Sequence, residues 1–258
     1  MELWHAILLG IIEGITEFLP ISSTGHLLLV SQIANIPETD FTKSFEIIIQ
    51  LGAILAVLVL YPKRLLLEKP VFMRVIAAFI PTGILGLLFY KAIKHYLLGN
   101  VLVVVGSLFL GGIVIILFER FYKKSHEKNI EDLSYKEAAI IGLVQCLSFV
   151  PGVSRSAATI FGGMWSGLSR SAAVEFSFLL AVPTMAAATG LDLLKNYKMI
   201  LASGNTSLLL VGFVVSFLVA LVSIKFLLRF VSKNNFTVFG VYRIIIAVVF
   251  FAMFYSNV

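Results

Sequence analysis

Apolar residues run almost unbroken through this chain, and its organisation lies in where polar residues, prolines and glycines interrupt them. Six runs (45–61, 72–90, 101–118, 172–189, 208–228 and 236–255) are long enough for full crossings of a hydrocarbon layer, which takes about 20 helical residues, range 17–25. Two further stretches, 4–17 and 138–150, fall short of that length. Each ends near a proline, Pro20 and Pro151, and a second short helix follows from a cluster of hydroxyl residues. Helix, break and returning helix is the pattern of a re-entrant hairpin, which survives at membrane depth only when buried in protein or lining a cavity. The expected fold is therefore all-α, a polytopic membrane protein with six full transmembrane helices plus two re-entrant helical hairpins.

The order of one hairpin and three spans occurs twice, about 131 residues apart, which aligns Pro20 with Pro151, Ser23 with Ser154 and, more loosely, Glu46 with Glu175. Gly240 falls near the position corresponding to Gly106. Three crossings per half turn the second half upside down, giving an inverted-topology repeat of halves 1–118 and 138–258, joined by a polar loop, 119–137, within one integral membrane domain, 1–258. Hairpins entering from opposite faces then meet near the midplane. Thirteen lysines and arginines fall on the side of the 119–137 loop and five on the other, so that loop is expected in the cytoplasm. Both termini and the mouth of the first hairpin are then expected outside.

Composition agrees with the pattern. Hydrophobic residues make up 59% and charged residues 13%, with a mean hydropathy of +1.01, which excludes an ordinary soluble domain. The net charge of +6 sits in short loops as topology signals, leaving no basic stripe for nucleic acid. Cys146 is the lone cysteine, so neither an intramolecular disulfide nor a cysteine metal site is expected. No removable signal peptide is expected from the N-terminal stretch.

The chemistry is concentrated in EGITEFLPISSTGH, residues 13–26. Glu13 and Glu17, four apart, share a helix face, and two carboxylates in an apolar setting require a cation or a shared proton. Ser22, Ser23 and Thr24 stand where a helix starts, and at least one is expected to be an N-cap. His26 follows in the first turn, with a pKa suited to general acid or base work, although a lone histidine on an apolar helix is more often a satisfied core residue. In the second half Arg155, flanked by Ser154 and Ser156 and followed by Thr159, offers a planar fork to phosphate oxygens, with a salt bridge to Glu13, Glu17 or Glu175 as the alternative. Glu46 and Glu175 are expected to brace the hairpins through hydrogen bonds to backbone or arginine, and Arg243 to pair with an acid. His5, His95 and His126 lie at ends or in loops and receive no role.

These two segments resemble the motifs of the undecaprenyl pyrophosphate phosphatases, the bacitracin-resistance membrane family: E-x-x-x-E-F-L-P-x-S-S-T-G-H, and P-G-x-S-R-S-x-x-T, matched by PGVSRSAAT at 151–159. The resemblance spans essentially the whole chain. It implies hydrolysis of undecaprenyl pyrophosphate to the monophosphate in a bacterial plasma membrane, recycling the carrier for cell-wall synthesis and conferring bacitracin resistance. Glu13, Glu17, Ser23, His26 and Arg155 would carry the chemistry. Ser22, Thr24, Ser154, Arg155, Ser156 and Thr159 would hold phosphate, and Glu13 and Glu17 a divalent cation, Mg²⁺ or Ca²⁺. The nucleophile is either Ser23 or water. Oligomeric state is open. A secondary transporter or lipid flippase is the other class compatible with inverted repeats and broken helices.

Overall fold

The structure, a computed structural model, describes residues 1–92, 100–122, 127–202 and 205–255. Lys94, His95, Lys123, Lys124 and His126 lie outside these. Helix α1 (Leu3–Thr16) and helix α2 (Ser23–Ile33) are both too short to span, and the turn between them contains Pro20. Helix α3 (Asp40–Leu60) starts at Thr39, whose hydroxyl caps the Thr42 amide. Pro62 both ends α3 and opens a one-turn helix, α4 (Pro62–Leu66), because a proline at the first helical position gives up no hydrogen bond. The sequence pattern indicates only the ending.

Helix α5 (Lys69–Ala92) carries Pro81 in its interior, and helix α6 (Val101–Phe121) is capped by the Asn100 side chain. The polar connection ends in a capping box in which the Ser134 hydroxyl takes the Glu137 amide and the Glu137 carboxylate takes the Ser134 amide. Helix α7 (Tyr135–Gln145) starts there, followed by a turn of 3₁₀ helix (Cys146–Phe149) and by α8 (Arg155–Trp165). Helix α9 (Arg170–Ala202) runs well past the apolar stretch ending at 189. Residues 190–202 remain good helix formers, so the drop in hydropathy does not stop the helix. Helices α10 (Thr206–Val231) and α11 (Thr237–Tyr255) complete the chain. Among the described residues, α3, α5, α6, α9, α10 and α11 are long and apolar enough to cross a membrane.

Packing pairs the halves with each other. Helix α1 lies along α10, α7 along α5, α6 along α11 and α3 along α9. The first two contacts depend on matching glycines: a Cβ at Gly10 would stand 2.8 Å from the Gly212 carbonyl oxygen, and one at Gly142 would overlap the Ala78 carbonyl. These are backbone-to-backbone approaches, in which small residues let helices associate in the absence of a hydrophobic driving force. Gly240, aligned by sequence with Gly106, instead faces Gly112 across the α6–α11 contact. The largest buried cluster gathers around Phe18, Phe176, Phe178 and Phe236 and surrounds the turns that start α2 and α8.

Candidate active site

Both short helices of the first half begin or end at chemistry. Glu13 and Glu17 lie on the last turn and C-cap of α1, and Ser22 starts α2 from an uncommon backbone conformation, φ 72°, with its hydroxyl accepting from the Gly25 amide. Ser154 starts α8 in the same way, with φ 77° and its hydroxyl accepting from the Ala157 amide. In cap geometry Ser154 matches Ser22, one residue earlier than the sequence offset of about 131 suggests. Ser23 therefore corresponds to Arg155, and Pro20 to Gly152. Two non-glycine residues held at positive φ, in matching places on two loops, are the kind of backbone outlier that gathers at functional sites.

Between these loops each oxygen of the Glu17 carboxylate accepts a hydrogen bond. Ser23 Oγ donates to Glu17 Oε2, while an Arg155 terminal nitrogen donates to Glu17 Oε1 at 2.7 Å. The ion pair is buried, with side-chain exposures of 12% for Arg155 and 6% for Glu17. The residues of the two motifs thus meet across 138 positions of sequence. Arg155 also donates to the Ser177 carbonyl at 2.8 Å and lies over the Phe18 ring, so its fork is held from two sides. Its Nε–H, also buried, has no partner among the described residues. Glu13 is fully buried one turn before Glu17, and among the described residues neither of its carboxylate oxygens has a hydrogen-bond donor. A buried carboxylate left this way is costly unless something else arrives to satisfy it.

The other candidates divide. Ser156 Oγ donates to the Phe18 carbonyl at 2.7 Å, tying α8 to the turn after α1. Thr159 Oγ1 bonds the Ser177 hydroxyl at 2.6 Å, bracing the residue that holds Arg155. Ser154 is committed as a cap and Thr24 is exposed. His26 does not face Ser23. Its Nδ1 donates to the Ser22 carbonyl at 2.8 Å, so Nε2 of the neutral ring accepts from the Tyr242 hydroxyl, also at 2.8 Å. Glu46 accepts from Ser31 at 3.0 Å and so braces α2. Glu175 does not reach a hairpin, because Arg64 of α4 takes it at 2.7 Å. Arg243, expected beside an acid, instead donates to five backbone carbonyls. Ser177, Tyr242 and Arg243 carry no motif signal. Only the oddity of an arginine inside an apolar run pointed to any of them.

No group of three or more histidines, cysteines or acids is gathered as a metal site among the described residues. The donor set nevertheless suits an oxygen-seeking cation in part: Glu13 offers two free carboxylate oxygens, and Glu17 retains lone pairs beyond those Ser23 and Arg155 occupy. Substrate and water oxygens would have to supply the rest of the shell.

The site can be set beside known proteins. The chain is 51% identical over 255 residues to a protein of Aquifex aeolicus named undecaprenyl-diphosphatase, covering 98% of this chain and 99% of that one. It is 50% identical to one of the same name from Wolinella succinogenes, over 100% of this chain and 99% of the relative, and 47% identical to another from Bdellovibrio bacteriovorus, over 100% and 98%. A family model described as bacitracin resistance protein BacA matches residues 6–249, and by that match and these relatives the chain belongs to the BacA family.

Proposed function

We propose that the protein hydrolyses the terminal phosphoanhydride of undecaprenyl pyrophosphate, releasing inorganic phosphate and leaving the monophosphate carrier in the membrane for another round of cell-wall synthesis. The observation that carries this reading is what is left unsatisfied where the two motifs meet. A free carboxylate on Glu13, a free guanidinium N–H on Arg155 and a hydroxyl already bonded to a carboxylate form a set that a pyrophosphate and its cation would complete. The names of the relatives supply the substrate.

The residues then take separate roles. Arg155 binds phosphate oxygens through its fork, exchanging or sharing its bond to Glu17. Glu17 accepts a proton from Ser23, or from a water in that place, as the oxygen attacks the terminal phosphorus. The bond from that phosphorus to the bridging oxygen breaks, and the monophosphate leaves with its electrons. If Ser23 attacks, water later cleaves the phosphoserine; if water attacks, phosphate is released in one step. Glu13, helped by Glu17, holds a divalent cation, Mg²⁺ or Ca²⁺, whose charge would offset that of the pyrophosphate oxygens. His26 orients the Ser22 carbonyl and so the start of α2. Purified protein in detergent should release inorganic phosphate from the lipid pyrophosphate, stop with a strong chelator and resume with Mg²⁺ or Ca²⁺. Absence of phosphate release from folded protein would favour a transporter or flippase instead.

The same reading includes the membrane arrangement. The α1–α2 and α7–α8 pairs are two re-entrant hairpins of an inverted repeat, with the site opening to the outer face. Support comes from their short helices, from the matching caps at Ser22 and Ser154, and from the matching contacts of Gly10 and Gly142. The long prenyl tail can then stay among the spans while its head group reaches the two loops.

A further inference from the structure

Among the described residues Arg243 is the largest fully buried side chain, and it sits in α11, far in sequence from both motifs. Nε donates to the Leu108 carbonyl at 3.3 Å. One terminal nitrogen donates to Pro20 and Val153 at 3.2 and 3.0 Å, and the other to Ser107 and Gly152 at 3.0 and 2.8 Å. All five N–H groups of a guanidinium are therefore used, and every described partner is a backbone carbonyl. Three of the five belong to the loops that start α2 and α8. Pro20 and Gly152 are equivalent positions in those loops, so the guanidinium stands between matching points of the two halves.

A planar peptide whose carbonyl is turned towards Arg243 has its N–H turned away. The bond to Val153 therefore sets the direction of the Ser154 amide, next to Arg155, and the bond to Pro20 sets the peptide two residues before Ser22. A charge in this apolar core is tolerated because each donor is satisfied, and only a five-donor planar group satisfies all five. Gly111 leaves the space, since a Cβ there would overlap the guanidinium. Of the long-range ion pairs, Arg64–Glu175 and Arg170–Glu119 join helices away from these turns. Arg243 ties together the two turns from which the nucleophile side and the phosphate-binding side of the site project.

We infer that Arg243 is a positioning residue that clamps the two motif loops to each other and so fixes the Ser23–Glu17–Arg155 geometry. Its kinetic consequence rests on the phosphatase reading, but the clamp itself does not. A displacement of about 1 Å in reacting groups is enough to lower turnover about 100-fold.

The test uses full-length protein in lipid nanodiscs with Cys146→Ala. Spin labels go on Ile33→Cys and Trp165→Cys, exposed positions on the last turns of α2 and α8, 54% and 82% accessible. The parent should give one narrow distance distribution, and Arg243→Lys a broadened or displaced one. In unlabelled protein, Arg243→Lys should lower kcat by about 10- to 100-fold with a smaller change in KM. Combining it with Ser23→Ala should then add little further loss, because both disturb the same Ser23–Glu17–Arg155 geometry. If the lysine variant does not fold, Gly111→Ala keeps the arginine but crowds its guanidinium, and should shift the same distance. An unchanged distance distribution overturns the inference, as does normal turnover per folded molecule with only a lowered melting temperature. If the parent releases no phosphate, the phosphatase reading falls and the distances alone decide the clamp.

Discussion

At the scale of single residues the site is a competition for one carboxylate. Glu17 is shared by Ser23 and Arg155, so removing either leaves Glu17 and the remaining partner in an altered, buried arrangement. Glu17→Gln keeps the shape but cannot accept the proton, and Arg155→Lys keeps the charge but loses the fork. Each should lower kcat by about 100- to 1,000-fold in a phosphate-release assay while the protein stays folded by melting in detergent. Near-normal turnover in Arg155→Lys would remove that residue from phosphate binding. His26→Gln should cost less than Ser23→Ala, because the ring reaches only the Ser22 carbonyl and Tyr242. The glutamates, serines and Arg155 were legible in sequence because each is a polar group in an apolar run. Arg243 was noticed for the same reason and assigned the wrong partner, since sequence gives no sign that carbonyls freed at two helix breaks can satisfy a whole guanidinium. Glu175 has the arginine partner expected of it, but that partner is Arg64, on a helix the apolar pattern does not indicate, rather than a residue of either short pair.

At the scale of elements, closely packed glycines and helix caps determine which changes are tolerated. Gly142→Ala would push α7 off α5 and Gly10→Ala would strain α1 against α10, so each should destabilise the protein by about 1–3 kcal/mol in detergent unfolding. Gly106, with nothing within 4 Å of a Cβ, is the control. Gly106→Ala should stabilise by about 0.5–1 kcal/mol through helix propensity alone. Equal effects at all three positions would mean that the close contacts contribute nothing. The start of α7 should respond to pH. Lys128, bonded to Glu137 at 2.7 Å, and then the Ser134 amide hold this carboxyl down at about 2. A depressed pKa stabilises the fold fully above the unfolded value and is lost as pH falls towards the folded one. Hydrogen exchange in the first turn of α7 should therefore accelerate as pH drops from about 4.3 towards 2, relative to the intrinsic rate. Glu137→Gln should remove that dependence. The starts of α2 and α8 were readable from their hydroxyl clusters. The true length of α9 was not, because apolarity marks where a helix meets lipid rather than where its hydrogen bonding stops.

At the scale of the whole molecule, the pairing of α1 with α10 and α7 with α5, across halves rather than within them, bears on topology. If both short pairs are re-entrant, the spans α3, α5 and α6 would return the chain to the face opposite its start, and the lysine and arginine excess would put the 64–74 and 120–136 segments in the cytoplasm. If either pair crossed completely, part of the chain would reverse. The structure narrows the choice of reporter positions. Ser31 is buried against Glu46, whereas Glu38 is exposed in the turn before α3, and Lys233 is exposed between α10 and α11. In protein carrying Cys146→Ala, Glu38→Cys should react with a membrane-impermeant thiol reagent in intact cells, and Lys233→Cys should react only after the membrane is opened. Substrate should slow the labelling of a cysteine at Thr24, exposed beside Ser23, from the outer side alone. Labelling of Lys233→Cys in intact cells, with Glu38→Cys silent, would reverse the orientation and turn the site towards the cytoplasm, leaving the chemistry of Glu17, Ser23 and Arg155 intact but requiring its substrate to arrive from the other face.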